Sequence, residues 1–295
     1  IGNMKVIIVG AGVIGMMQAR ELAQKGFEVV LLDKGMCGAE ASWAGGGIIS
    51  PLYPWRYSGP ITALATWSQA YYPNLIQTLE AESDIDPEIT RHGLLMLNVE
   101  DQSTALSWAQ SASSWLEPIE KAAIYNLEPE LRGGVQDALW MSQVASIRNP
   151  RLLKSLRKIL EQNPLVEIHE ESAVTSLIKK GSRVMGVNTV HGESYEGDVV
   201  LICSGAWSPN VSEQETLKIE PVKGQMVVFD AKPGLVNRVV LSNGQYVIPR
   251  RDGQVVAGST LEFEGFDKQT TSQAKNALSD MAIDLFPALA SCQVS

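Results

Sequence analysis

Cysteine, histidine and positive charge are all scarce in this chain of 295 residues, and each shortage closes a route. Cysteine occurs only as Cys37, Cys203 and Cys292, far apart and odd in number. Without a C-x-x-C pair, neither a disulfide framework nor a zinc site is expected, and the chain reads as reduced and cytoplasmic. His92, His169 and His191 are scattered, and each reads as structural or solvated rather than as a catalytic base or metal ligand. Lys plus Arg number 24 against 33 Asp plus Glu, a net charge of −9. That balance argues against affinity for nucleic acid or an anionic membrane surface and favours a small-molecule partner. Nowhere do about 18 apolar residues run uninterrupted, so no membrane span is expected. The apolar stretch after Lys5, Val6 to Met17, imitates a secretory leader. Gly10, Gly12 and Gly15 punctuate it, however, and no cleavage-like site follows, so export is not expected. Met4 reads as the natural start, with Ile1-Gly2-Asn3 a non-native remnant.

Hydrophobic residues are plentiful at 45%, enough for a sizeable core. At roughly 150 residues per domain, the length suggests two domains or one large discontinuous one. Val6-Ile7-Ile8-Val9 and Val29-Val30-Leu31-Leu32 read as buried parallel strands around a helix over 13–25, capped at Gly26. A glycine-rich loop over 42–50, an aromatic segment over 51–57 and a helix over 61–83 follow. Further on, the pattern predicts a strand over 94–97 and helices over 101–124 and 150–163. It then predicts a small meander of 166–169, 174–178 and 184–190, turning at Gly181-Ser182 and Gly192. Val199-Val200-Leu201-Ile202 is another fully apolar strand. Four strands over 225–229, 237–241, 245–249 and 254–258 follow it, with Asp252-Gly253 a hairpin turn. The two apolar pieces at 6–32 and 199–205 imply one discontinuous nucleotide-binding domain with a β-rich domain inserted.

Chemistry concentrates near the start. Gly10-Ala11-Gly12-Val13-Ile14-Gly15 follows a strand and opens a helix. Its first glycine permits the tight turn, the second lets backbone approach a pyrophosphate, and the third lets helix and strand pack closely. The helix N-terminus adds free N–H groups and partial positive charge. Asp33 ends the next strand 18 residues beyond Gly15, placed to bind a ribose hydroxyl and to disfavour a 2′-phosphate. Gly45-Gly46-Gly47 then lets backbone pass flush against a flat ring or a pyrophosphate, although a flexible connector would have the same composition.

These residues resemble the FAD-dependent D-amino-acid-oxidase superfamily, and within it the glycine oxidase branch associated with thiamine biosynthesis. The resemblance rests on Gly10 to Gly15, Asp33 and the run Glu40 to Tyr57 (EASWAGGGIISPLYPWRY). It extends through Asn149-Pro150-Arg151-Leu152, Ser204 to Ser208, Pro221 to Met226, Tyr246 to Gly253 and Gly258-Ser259-Thr260, essentially the whole chain. It implies an α/β fold: a Rossmann-like FAD-binding domain of the GR2 type with an inserted α+β substrate domain on an antiparallel sheet. The corresponding boundaries are 4–84 with 145–217 for FAD and 85–144 with 218–295 for substrate. FAD would be held non-covalently, with Gly10, Gly12 and Gly15 at the pyrophosphate and Asp33 and Lys34 near the adenosine ribose. Ser42, Gly45, Gly46 and Gly47 would line the cofactor, Ile49 would lie near the flavin, and Val174 would reach the adenine. Gly205 and Trp207 match a second FAD contact, while Trp207 answers equally to an ordinary core aromatic. Tyr246 resembles the active-site tyrosine that holds the substrate carboxylate; a strand tyrosine with a wet hydroxyl is the alternative. Ser50, Tyr53, Trp55 and Leu261 would shape the substrate pocket, with Leu261 an apolar wall. Tyr53, Trp55 and Arg56 suit either an entrance lid or an aromatic surface loop. Arg250 and Arg251 read as a solvated face rather than a carboxylate clamp.

The implied reaction is oxidative deamination of glycine, or of sarcosine or a small D-amino acid, with dioxygen. Its products are glyoxylate, ammonia and hydrogen peroxide, and no metal is involved. The resemblance also implies a homotetramer. The family continues into a Gly-x-Arg-Pro-type motif whose arginine grips the substrate carboxylate, and this sequence stops before it. A fragment of a longer polypeptide is therefore expected. A dehydrogenase passing electrons to a dye or quinone, and an inactive truncated FAD-binding fragment, stand as the other readings.

Overall fold

The computed structural model describes residues 4–112, 114–212 and 217–295; the remnant read at Ile1-Gly2-Asn3 lies outside them. The chain begins with β1 (Lys5–Val9), α1 (Val13–Gln24), β2 (Glu28–Leu32), a short α2 (Ala41–Ala44) and a long α3 (Gly59–Ser83). Next come β3 (Leu94–Leu97), α4 (Gln102–Ala112), β4 (Leu116–Glu120), α5 (Lys121–Leu127) and β5 (Asp137–Met141). They lead into α6 (Asn149–Glu161), β6 (Val166–His169), β7 (Val174–Lys180), β8 (Arg183–Thr189), β9 (Ser194–Glu196) and β10 (Val199–Ile202). The remainder is α7 (Ser208–Ser212), β11 (Met226–Asp230), β12 (Val239–Ser242), β13 (Gln245–Pro249), β14 (Val255–Gly258), α8 (Ser272–Leu285) and β15 (Gln293–Val294).

Two compact units result. One comprises the residues up to Gly45 with Leu75–Pro87 and Asn149–Glu220; the other comprises Gly46–Asn74, Glu88–Arg148 and Pro221–Ser295. Residues 46–74 thus cluster with the second unit, where the sequence reading carried the first segment on to 84. The cause is local: Ile48 bridges Ser146, and the Gly244 N–H donates to the Tyr53 hydroxyl at 3.0 Å.

The first unit is built on a parallel sheet in the order β10-β1-β2-β6. The central strands β1 and β2 are apolar and buried at Val6–Val9 and Val29–Leu32 because both faces are covered there, whereas the edge strand β6 carries Glu167 and His169. Met16, Ala19 and Ala23 of α1 are buried. Val174, Leu177, Val187 and Tyr195 of the separate β7-β8-β9 sheet pack on Ile7, Val9, Val30 and Leu32. Val9 pairs with both Leu32 and Ile202, so β1, β2 and β10 end at one level. The loops leaving those ends carry Gly10, Asp33 and Ser204-Gly205. The expected meander needs one correction: Val166–His169 pairs parallel with β2, and only the later strands form the antiparallel piece.

The second unit holds an eight-stranded sheet, β15-β11-β14-β13-β12-β3-β5-β4, antiparallel apart from the parallel β12–β3 pair. Alternation assigns its side chains to two cores. Leu95, Leu97, Val240, Val247, Val255 and Ala257 join Leu278, Ala282 and Leu285 of α8 on one face. Leu94, Met96, Val239, Leu241, Ile248 and Val256 line the other, with Tyr246 packed beside them. Each such side chain, fully buried, contributes roughly 1.5–3 kcal/mol.

The single helix expected over 101–124 is wrong. Its middle is β4, which pairs with β5 at the sheet edge. Pro118 supplies no helical N–H and is tolerated on an edge strand. All three cysteines are free, and burial pushes the Cys37 thiol up to about 12 and raises that of Cys203, which keeps both protonated. No helix among the described residues is long and apolar enough to cross a membrane.

Candidate functional site

The β1–α1 turn of the first unit shows which glycines are demanded by packing. Gly10 has φ +104, and a Cβ there would lie 2.4 Å from the Cys203 carbonyl oxygen. At Gly15 a Cβ would lie 1.8 Å from the Gly10 oxygen, so helix and turn touch through backbone. Gly12 differs: its Cβ would meet only Ser42 Oγ, at 3.1 Å. Packing alone does not account for glycine at 12, where the backbone is left accessible to close approach. Gly205, at φ +52 with open space around it, is the second position of that kind.

Donors around this turn are partly organised. The Val13 N–H donates to Ser42 Oγ at 3.0 Å, so Ser42 braces the start of α1. Asp33 accepts from the Ala11 N–H at 2.7 Å and the Gly35 N–H at 2.9 Å. A carboxylate has about four acceptor positions, so capacity remains for a ribose hydroxyl. Lys34 pairs with Glu40 at 2.8 Å and stands 3.8 Å over the Trp207 ring. Trp207 is only partly buried, which separates it from a core aromatic. Val174 packs half-buried on the sheet core. Gly45 is held by the Asn149 amide, which donates to its oxygen at 3.0 Å. The β1–α1 turn thus places a helix N-terminus beside Asp33 and Ser42, an arrangement compatible with a dinucleotide.

The second unit contributes a different constellation. A Cβ on Gly46 would lie 2.9 Å from Ile248 Cδ1 and 3.3 Å from the Tyr246 hydroxyl, so the triglycine segment runs directly over Tyr246. Among the described residues that hydroxyl donates only to the Met226 sulfur, at 3.3 Å, a weak acceptor readily exchanged for an oxygen. Gly47, at φ +77, accepts from the Ile147 N–H at 2.8 Å.

Arg250 corrects the sequence reading. It is no solvated face: its guanidinium donates to the Gly46 oxygen at 2.8 Å and the Ile147 oxygen at 3.1 Å. Burial, then the neighbouring Arg148 charge, pull it down to about 10, still cationic at neutral pH. The signal was present in the sequence, since strand alternation puts residue 250 on the face of Tyr246 and Ile248. Arg251 is exposed and donates to Thr90 and Ile89.

Of the other pocket candidates, Tyr53 and Trp55 come together and Leu261 stands apart. Tyr53 and Trp55 pack edge to face at 5.6 Å, with the Arg56 guanidinium 4.0 Å over Tyr53. Asp101 ties the corner down, accepting from Trp55 Nε1 at 2.7 Å and Arg56 Nη2 at 2.5 Å. The Arg56 hydrogen bond, joined by that of Trp55, holds the Asp101 carboxyl at about 2. This is a pinned aromatic corner, and Asp101 went unnoticed in the sequence. Ser50 donates to the adjacent Pro51 oxygen, and Leu261 is 71% exposed. Among the histidines, His92 is pulled down to about 4 by burial, and its Nδ1 lies 3.2 Å from the Asn237 oxygen. His169 contacts Glu167, and His191 the Glu171 oxygen. No group of three or more His, Cys, Asp or Glu among the described residues is arranged to hold a metal.

Comparison with known proteins agrees along the whole length. The FAD dependent oxidoreductase family matches residues 5–295. Glycine oxidase of Pseudomonas aeruginosa is 48% identical over 293 residues, covering 98% of this chain and 80% of that protein. Glycine oxidase of Pseudomonas putida is 44% identical, covering 97% and 78%. The crystal structure of glycine oxidase from Geobacillus kaustophilus superposes with a TM-score of 0.90 at 25% identity, covering 99% of this chain and 80% of that one.

Proposed function

The chain belongs to the FAD dependent oxidoreductase family, and we propose that it oxidises glycine with dioxygen. Glycine, water and dioxygen become glyoxylate, ammonia and hydrogen peroxide. FAD, when bound, would supply the acceptor for the hydride, and with it the two electrons, leaving the substrate Cα. The first unit provides the nucleotide cradle, in which Gly12 and Gly205 leave backbone open, Asp33 offers acceptors and the N-terminus of α1, beyond the Val13 N–H held by Ser42, turns its positive end to phosphate. Family resemblance favours non-covalent binding of the cofactor.

In the second unit the observation that carries the reading is Tyr246, whose hydroxyl lies against Gly46 and, among the described residues, has a thioether as its one acceptor. A substrate carboxylate replaces the sulfur as its acceptor, fixing the amino acid by its acid end. Gly46 and Ile248 leave little room beside that hydroxyl, which suits a substrate without a side chain. The identities to two glycine oxidases support the same substrate. Hydride transfer from a neutral amine needs no side-chain base, in keeping with the structural contacts of the three histidines. Family resemblance also favours a homotetramer and a place in thiamine biosynthesis.

Oxygen uptake by the FAD-loaded protein tests this proposal. Glycine is expected to drive uptake with an equal yield of peroxide, and sarcosine to follow within about 1–3 kcal/mol of discrimination. Turnover with an artificial dye but none with oxygen would instead assign a dehydrogenase.

A further inference from the structure

The segment that carries the triglycine loop has a second side. Residues 47–49 run in a short ladder with 145–147: the Ile147 N–H donates to the Gly47 oxygen, and the Ile49 N–H to the Ala145 oxygen at 2.9 Å. Thr90 joins the other edge through Ser146. Extended backbone alternates its side chains. Ile48 turns to the core that includes Tyr246, whereas Ile49 turns away, into a cavity of 260 Å³. Gln69, Tyr72 and Pro73 of α3, with Ile89, Arg91, Gln143 and Ala145, complete its wall.

The polar side chains at this cavity are open to a ligand: Arg91 and Gln143 are exposed at its rim and Tyr72 is half-buried. Arg91, Gln143 and Tyr72 have no hydrogen-bond partner among the described residues, and no carboxylate lines the wall. Gln69 spends its amide N–H on the Ile49 oxygen at 2.9 Å, which fixes α3 to the ladder. Burial raises the Tyr72 phenol, so it enters any contact as a neutral donor. Ile49, Ile89, Pro73 and Ala145 supply the apolar remainder. A largely apolar cavity with a few convergent polar groups is the ordinary make-up of a small-ligand site, and 260 Å³ lies just below the roughly 300–1,000 Å³ of drug-sized ones.

We propose that this cavity is a second binding site, for a small organic carboxylate with a compact aliphatic body. The carboxylate pairs with the Arg91 guanidinium, whose planar fork matches it bidentately. The Gln143 amide and Tyr72 hydroxyl donate to its remaining lone pairs, and the aliphatic body lies on Ile49 and Ile89. The site is independent of the substrate reading, because the two faces of the 46–49 segment separate it from Tyr246.

Isobutyrate and its neutral isostere isobutyramide are the probes, titrated calorimetrically into the FAD-loaded full chain. Saturable one-to-one binding of isobutyrate is expected, with the amide at least tenfold weaker. Arg91→Gln should lose at least tenfold, while Arg91→Lys recovers part of that loss. Tyr246→Phe should bind isobutyrate as the parent does. Equal binding of acid and amide, unchanged affinity in Arg91→Gln, or no saturable binding would each overturn the proposal. Loss of binding in Tyr246→Phe would also overturn it, by placing isobutyrate in the proposed substrate site. Failure of glycine oxidation with these results intact would leave the second site standing.

Discussion

Side chains and single glycines carry the sharpest tests. Gly12 and Gly15 belong to one motif, yet the structure gives them different duties. A methyl at 15 would sit 1.8 Å from a backbone oxygen, and one at 12 only 3.1 Å from a serine hydroxyl. Gly15→Ala should therefore lose stability by about 1–3 kcal/mol, the usual cost of forcing extra atoms into packed backbone. Gly12→Ala should keep its denaturation midpoint and instead bind FAD at least tenfold more weakly. Chemical denaturation and flavin fluorescence titration separate the two effects. For Tyr246, removing the hydroxyl deletes one hydrogen bond to a charged group, about 1.5–3 kcal/mol, so Tyr246→Phe should raise KM for glycine roughly ten- to a hundredfold. Its flavin absorbance should not change if Tyr246 acts on the substrate as proposed. Much of this scale was legible in the sequence, because a nucleotide turn admits few residue types. Arg250 was misread because two arginines beside a hairpin turn suggest solvent. Only the ladder beneath them supplies buried carbonyl acceptors.

Secondary-structure elements were legible where burial is symmetric and the run is long. Val6–Val9 and Val29–Leu32 are apolar throughout because a helix and a second sheet cover them. Val255–Gly258, buried at every position, was found for the same reason. β4 was not found: Leu116-Glu117-Pro118-Ile119-Glu120 sits on a sheet edge, half in water, and its two glutamates fit a helix as well. Helix α8 was overlooked too, although Thr271 caps it by accepting from the Ala274 N–H at 3.2 Å and Leu278, Ala282 and Leu285 form its buried stripe. The cap gives a prediction at this scale. Thr271→Ala should cost about 1 kcal/mol of stability, measured by denaturant unfolding, and leave FAD affinity unchanged.

At the scale of the whole molecule, stability should bear the mark of one buried polar cluster in the second unit. Glu128 is fully buried and accepts from the Asn237 and Arg238 N–H groups. Burial pushes its carboxyl up to about 7, while His92, on the Asn237 oxygen, is pulled down to about 4. The signs oppose each other. Glu128 favours the fold below about 4.5 and loses that contribution as pH rises to about 7; His92 favours it above about 6.5 and loses that contribution as pH falls to about 4. Glu128→Gln should therefore gain on the parent as pH rises, and His92→Asn should gain on it as pH falls. Each change should reach at most roughly 3 kcal/mol, read from urea unfolding at several pH values. None of this was visible beforehand, because the partners lie more than a hundred residues apart in the chain. The fold class was visible, because the glycine motif and the apolar strands fix a nucleotide-binding topology. The central claim is that glycine delivers its electrons to FAD in this protein, and anaerobic mixing tests it most directly. Adding glycine to the oxidised, FAD-loaded chain without oxygen should bleach the flavin absorbance, and admitting oxygen should restore it with release of peroxide. A flavin spectrum that stays oxidised under saturating glycine would contradict the account.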